Sequence, residues 1–332
     1  MVIIMKKNLQ IEGLRGCCVL LVVFFHIVYR FSQVYLKIDV PFLSHWGEFG
    51  TTIFLLISSF FLYPSVVKNK NGGGVNFIVW ELRRKMTRLW IPYSICLTVT
   101  SIVNIFFPLP DRGGGWKEYI CNLFFINGYI GVDYLDRAHW YMTTLISLTV
   151  ACTILKSYRL ANKPESYLGW MVLVVGLKAF DLDSLGHLVG GQYIGIACIG
   201  FSFAALMHSG KMIGTDLWHL KWYCVLTVAI VCTLRYFGVL RIVFVLVGIA
   251  LLWNCLSEKL TILCTKPLQF LGTISYVLYL IHQNIAYTIE YYLMKNIGHH
   301  WRNECIAFFV VLILAVVIQV GIEQMNRVEN GR

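Results

Sequence analysis

Charge is scarce in this chain. Of its 332 residues only 14% are Asp, Glu, Lys or Arg, while 58% are hydrophobic, and the mean hydropathy is +0.68. Soluble domains carry about 25% charged residues, so a chain this poor in charge is a polytopic membrane protein. Long polar stretches are missing as well. The longest polar interval, residues 108–137, is itself broken by an apolar run at 121–130, which leaves no room for a soluble domain. Residues 1–332 therefore read as one integral-membrane domain. The eleven cysteines include no CxxC pair and no regular framework, and most lie in apolar spans where Cys acts as a small hydrophobe. A zinc site and a disulfide scaffold are both unsupported. There is no repeat of 20–50 residues and no inverted repeat of the transporter kind. Gly72–Gly74 and Gly113–Gly115 read as loops rather than phosphate-binding turns, because no strand precedes either.

What is present is a series of ten apolar stretches of membrane length. They lie at about 12–31, 46–66, 89–107, 139–156, 166–182, 190–208, 221–237, 239–256, 270–293 and 303–324. The expected fold is all-α, a transmembrane bundle of about ten helices. Lys6 and Lys7 precede the first stretch as in a signal peptide, but its length, Arg15 and the spans that follow mark it as retained. With both termini on the cytoplasmic side, 18 of the 28 Lys and Arg residues fall on that side. Positive residues favour the cytoplasm, so this orientation is expected. The formal net charge of +11 does not point to nucleic acid, because the charges sit in loops between spans and no basic tract is interleaved with aromatics.

The polar residues inside apolar stretches are few and specific. Arg15 and His26 lie eleven residues apart in the first span. On a helix that spacing returns to nearly the same face about 16 Å further along. One stripe thus carries a fixed cation and, deeper, a titratable imidazole, both expected to face one interior conduit. Ionisable groups in hydrocarbon mark functional sites by default; an Arg snorkelling to the headgroups and a His bonded to a neighbouring helix account for the same residues. Glu12, one turn before Arg15, can pair with it. The densest cationic segment runs from Trp80 through Arg83, Arg84, Lys85 and Arg88, with Arg84 and Arg88 on one helical face. Such a cluster either touches anionic lipid or clamps a phosphorylated ligand. Ser275, Tyr279 and His282 share a face of the ninth span, as a catalytic stripe or as interhelical glue. Glu48 opens the second span, Glu290 lies late in the ninth, and His139-Trp140-Tyr141 opens the fourth at the interface, where an aromatic belt alone explains Trp and Tyr.

These segments in order resemble the acyltransferase-3 family of membrane acyltransferases. Glu12-Gly13-Leu14-Arg15-Gly16 running through to His26 is similar to that family's opening helix. Ile53 to Leu62 resembles its Phe-Phe-x-x-Ser-Gly-Phe stretch, with Ser59 in place of the usual Gly, a change expected to loosen a close helix contact. Arg83 to Tyr93 is similar to its basic run leading into Pro-x-Tyr. Trp140 matches a Trp opening the fourth span, and Ser275-Tyr276, Tyr279-Leu280 and His282 match a late Ser-Tyr-x-x-Tyr-Leu-x-His motif.

The resemblance implies a stand-alone O-acyltransferase of the bacterial inner membrane. It would pass an acyl group (not an aminoacyl group, and acetyl before any other) from cytoplasmic acyl-CoA to a hydroxyl of a cell-envelope glycan or lipid-linked sugar, without a metal. In this reading Arg83, Arg84, Lys85, Arg88 and Arg15 hold acetyl-CoA. His26 removes the hydroxyl proton, and Arg15, His282 and Tyr279 complete the catalytic group. Tyr279, His282 or Trp140 supplies the donors for the tetrahedral oxyanion, and Trp140, Glu48 and Glu12 meet the acceptor. A covalent acyl-histidine stays open. The competing classes are a transporter or flippase of a lipid-linked glycan and a haem protein ligated by His26 and His282.

Overall fold

A computed structural model describes residues 8–67, 75–110, 112, 114–210 and 212–330. The expected roles of Lys6, Lys7, Lys68, Lys70, Lys211 and Arg332 in orientation, and of Gly72–Gly74 and Gly113 in loops, fall outside these residues. The described chain is 83% helical, with no strands. In order come α1 (Leu9–Phe24), α2 (Trp46–Val67), α3 (Val75–Phe106), α4 (Trp116–Leu123), α5 (Trp140–Ser157) and α6 (Pro164–Ala179). Then follow α7 (Asp183–Leu188), α8 (Ile194–His208), α9 (Leu217–Phe237), α10 (Val239–Leu256), α11 (Lys266–Ile297) and α12 (Trp301–Asn330). Asn8 caps α1, its side-chain oxygen accepting from the backbone of Gln10 and Ile11.

Eight helices among the described residues are long and apolar enough to cross a membrane, fewer than the ten stretches read from sequence. The two that drop out do so for different reasons. The fifth stretch is helical only as the 16-residue α6, before the chain turns into the short α7. The ninth lies within the 32-residue α11, whose His282, Gln283, Asn284 and Glu290 lower its hydropathy while being buried inside the bundle.

The site is positioned by α11, which packs against α1, α12 and α3. Two glycines in the opening motif bring α1 and α11 together. A Cβ on Gly13 would overlap the carbonyl oxygen of Leu263, just before α11, and one on Gly16 would overlap that of Leu268. From the opposite side, a Cβ on Gly272 would meet the carbonyl of Glu12. Small residues at such crossings let backbones approach in membranes. Centrally, α8 lies between α2 and α9 and buries every residue from Ile194 to Leu206. The Ser59 substitution does not loosen the packing there. Its hydroxyl donates to Leu55 O at 2.7 Å and fills the space where Gly200 of α8 has no side chain.

Candidate active site

Helix α1 does not end at Phe24 but continues in π winding over Phe25–Arg30 and Ser32–Leu36. Such segments are rare and concentrate at functional positions. His26 lies at this transition and remains partly exposed. Its Nδ1 is 3.2 Å from the hydroxyl of Tyr287, and its ring meets that of His282 edge-on, centroids 4.9 Å apart. The two histidines that the family resemblance put in one catalytic group are thus in contact. Their direct contact leaves no gap for a porphyrin plane, which removes the di-histidine haem reading.

Hydrogen bonds fix what His282 can do. Its Nδ1 donates to the carbonyl of Tyr279 at 2.7 Å, so the neutral ring carries its proton on Nδ1. Its Nε2 is buried with no partner among the described residues, a lone pair rather than a donor. The Tyr279 hydroxyl donates to Ala138 O at 2.8 Å. In this arrangement Tyr279 and His282, two of the three groups expected to donate to an oxyanion, have no hydrogen free for it, because both are committed to backbone carbonyls.

A loop grips α11 beside these rings. Asp136, fully buried, accepts from the backbone N–H of Asn284 at 3.1 Å and from that of Ala138 at 2.9 Å. His139, also fully buried, donates from Nε2 to Leu280 O at 2.8 Å. Leu280 O and Asn284 N–H are the pair that an α-helix would join to each other, and His282 lies midway between them. Arg112 comes from the same loop region. Its guanidinium lies 4.7 Å from the centre of the Tyr287 ring and donates to Asn284 Oδ1.

The basic segment lies at the start of α3, towards the other end of the bundle. Arg83, Arg84 and Arg88 line a cleft of about 700 Å³ together with Trp80, Thr87, Ile322 and Asn326. Lys85 does not line it, because it pairs with Glu81 at 3.2 Å. Glu81 is fully buried and also takes Arg84 and Lys156, each at 3.0 Å. Lys156 of α5 is itself buried, so one carboxylate gathers three cations from two helices. Among the described residues neither Arg83 nor Arg88 has a carboxylate partner.

Arg15 lines a second cavity of about 610 Å³ with Glu12, Ser58, Tyr141, Ser275 and Tyr279. Arg88 lines this one as well. Arg15 and Glu12 are 3.9 Å apart, a loose pair. The single conduit from Arg15 to His26 is not what the structure shows, since His26 does not line this cavity. The rings of Tyr279 and His282 lead from the cavity to His26, with centroids 5.5 and 4.9 Å apart. Trp140 and Glu48 line neither cavity. Trp140 stacks on Tyr193 at 4.4 Å, Tyr193 packs on Phe237, and Phe237 carries Arg241, which pairs with Glu48 at 3.3 Å.

With this geometry in place the comparisons are decisive on one point. The acyltransferase-3 family model, described as an acyltransferase domain, matches residues 8–322. The chain belongs to this family. No curated protein and no solved structure matches it. In this acyltransferase the arginines of the basic cleft, the glycine-packed α1 and the histidine pair all lie inside the matched region. Residues missed at the sequence level are Glu81, Lys156, Arg112, Asp136, Asn284 and Tyr287. A buried Asn and Tyr within two turns of His282 were visible signals; the loop partners gave none.

Proposed function

We propose that this acyltransferase moves an acyl group, acetyl first among them, from cytoplasmic acyl-CoA to a hydroxyl of a cell-envelope glycan, as polymer or lipid-linked precursor. The observation that carries this reading is Arg88, which lines both cavities and joins the arginine cleft to the compartment of Arg15 and Tyr279. Phosphates of CoA suit Arg83, Arg84 and Arg88, because guanidinium offers paired donors to phosphate oxygens. Lys85 supports the cleft through Glu81. The pantetheine arm passes Arg15 and Glu12 and brings the thioester towards the histidine pair. On the far side Trp140, with Glu48 beyond it, receives the acceptor sugar.

In the transfer, His26 takes the acceptor hydroxyl proton as the oxygen bonds to the thioester carbonyl carbon. The carbon–sulfur bond then breaks, and the imidazolium returns that proton to the CoA thiolate. General base catalysis of this kind contributes about 10²–10⁴-fold. The purified protein in detergent, given radiolabelled acetyl-CoA and envelope glycan, tests the proposal. Label should move to base-labile esters on the glycan, and NMR of cells lacking the gene should show loss of O-acetyl signals. Unchanged O-acetyl content would refute it.

A further inference from the structure

Arg112 is a buried cation without a counter-ion among the described residues. It is 9% exposed, and among those residues it forms no ion pair and its side chain makes one hydrogen bond, to Asn284 Oδ1. A cation in such a place is costly, so its retention needs a task. Its neighbour defines one. The guanidinium lies over the face of Tyr287, which is fully buried and whose hydroxyl is 3.2 Å from His26 Nδ1. His26 Nε2 has no partner among the described residues.

We infer that Arg112 and Tyr287 form a positioning pair that holds His26 with its Nδ1 edge engaged and its Nε2 edge presented to the acceptor hydroxyl. This rests on the proposed role of His26 as the base and adds what keeps it in register. Asn284 anchors the guanidinium and Asp136 anchors α11, the guanidinium pins the tyrosine ring, and the tyrosine hydroxyl bonds Nδ1. In the tautomer that acts as base, Nδ1–H donates to this hydroxyl and Nε2 holds the lone pair. Arg112 also opposes positive charge on the imidazole, so a proton taken from the acceptor is passed on to the thiolate. The other groups facing His26 are His282 from α11 and Arg30 from its own helix. The α12 side offers Phe308, stacked on Phe24, and the α2 side Gly47, against Phe25.

Tyr287→Phe keeps the ring under the guanidinium and removes only the oxygen. It should lower kcat about tenfold or more, with KM for acyl-CoA unchanged. Arg112→Gln should lower kcat less, and adding it to Tyr287→Phe should cost little more, because it acts through that oxygen. Arg112→Lys should recover part of the loss. A readout independent of turnover is the modification of His26 by diethyl pyrocarbonate, followed by mass spectrometry across pH. In Arg112→Gln the onset of reaction should move to higher pH, since an imidazole relieved of a nearby cation protonates more readily. Wild-type kinetics in Tyr287→Phe would overturn the inference. So would multiplicative losses in the double variant, an effect confined to acceptor KM, or an unmoved modification profile in well-folded Arg112→Gln. If the wild-type protein transfers nothing from acyl-CoA, the modification profile still tests the pair on its own.

Discussion

The two ends of this bundle are built from different chemistry. At the Arg88 end positive charge is concentrated and partly neutralised from within, by one buried carboxylate that draws together Arg84, Lys85 and Lys156. At the His26 end rings lie against rings, and hydrogen bonds to backbone fix their orientation, while the nearby cation Arg112 has no carboxylate partner among the described residues. The first end is suited to capturing an anion that arrives from water, the second to moving a proton between neutral groups. Binding and chemistry are therefore separable by mutation, and each of the following changes strains that separation.

The largest effect is expected at His26. His26→Ala should reduce acyl transfer by about 10²–10⁴-fold while leaving acyl-CoA affinity as it was. A large loss of affinity would mean that the two ends are one site. Next comes Glu81→Ala, which strands Lys156 as a buried charge without its partner. Breaking a buried pair in this way costs about 3–5 kcal/mol, to be read as earlier thermal unfolding in detergent. Combining it with Lys156→Met should return much of that stability; no recovery would assign the loss to packing instead. Arg88→Ala removes a charged donor from both cavities. At about 1.5–3 kcal/mol for such hydrogen bonds, acyl-CoA should bind at least tenfold more weakly by calorimetry. Unaltered binding would turn the arginines into lipid contacts. Smallest, and placed between the ends, is Gly272→Ala. Its Cβ meets the Glu12 carbonyl, which is backbone and yields little, so a cost of about 1–3 kcal/mol is expected, with lower stability at unchanged acyl-CoA affinity.

The Arg88 end was the more legible in the sequence. A run such as Arg83-Arg84-Lys85 beside Arg88 is dense enough to be noticed and local enough for helix spacing to arrange it. Even so, Lys85 turned inward, because the acid that claims it, Glu81, is four residues earlier on the same helix and is itself buried by α5. The His26 end was legible only in its two histidines. They were joined in one catalytic group by the family resemblance, whereas Arg112, Asp136 and His139, which hold Tyr287 and the backbone of α11, come from residues 108–139, whose positions depend on tertiary contacts that no spacing encodes. The Ser59 reading failed for the same reason: the compensating residue, Gly200, is on another helix. The ninth span was legible because its polar residues are interrupted by Val277, Leu278, Leu280 and Ile281, and all of them are turned into the protein.

The grip of Asp136 and His139 on the main chain of α11 ties a surface connection to the reaction chamber. Displacing that turn by even a fraction of an ångström would pull on the stretch of helix that carries one imidazole and the tyrosine bonded to the other. Whatever docks against the turn is thus mechanically in touch with the histidine pair, with no moving lid needed to relay its arrival.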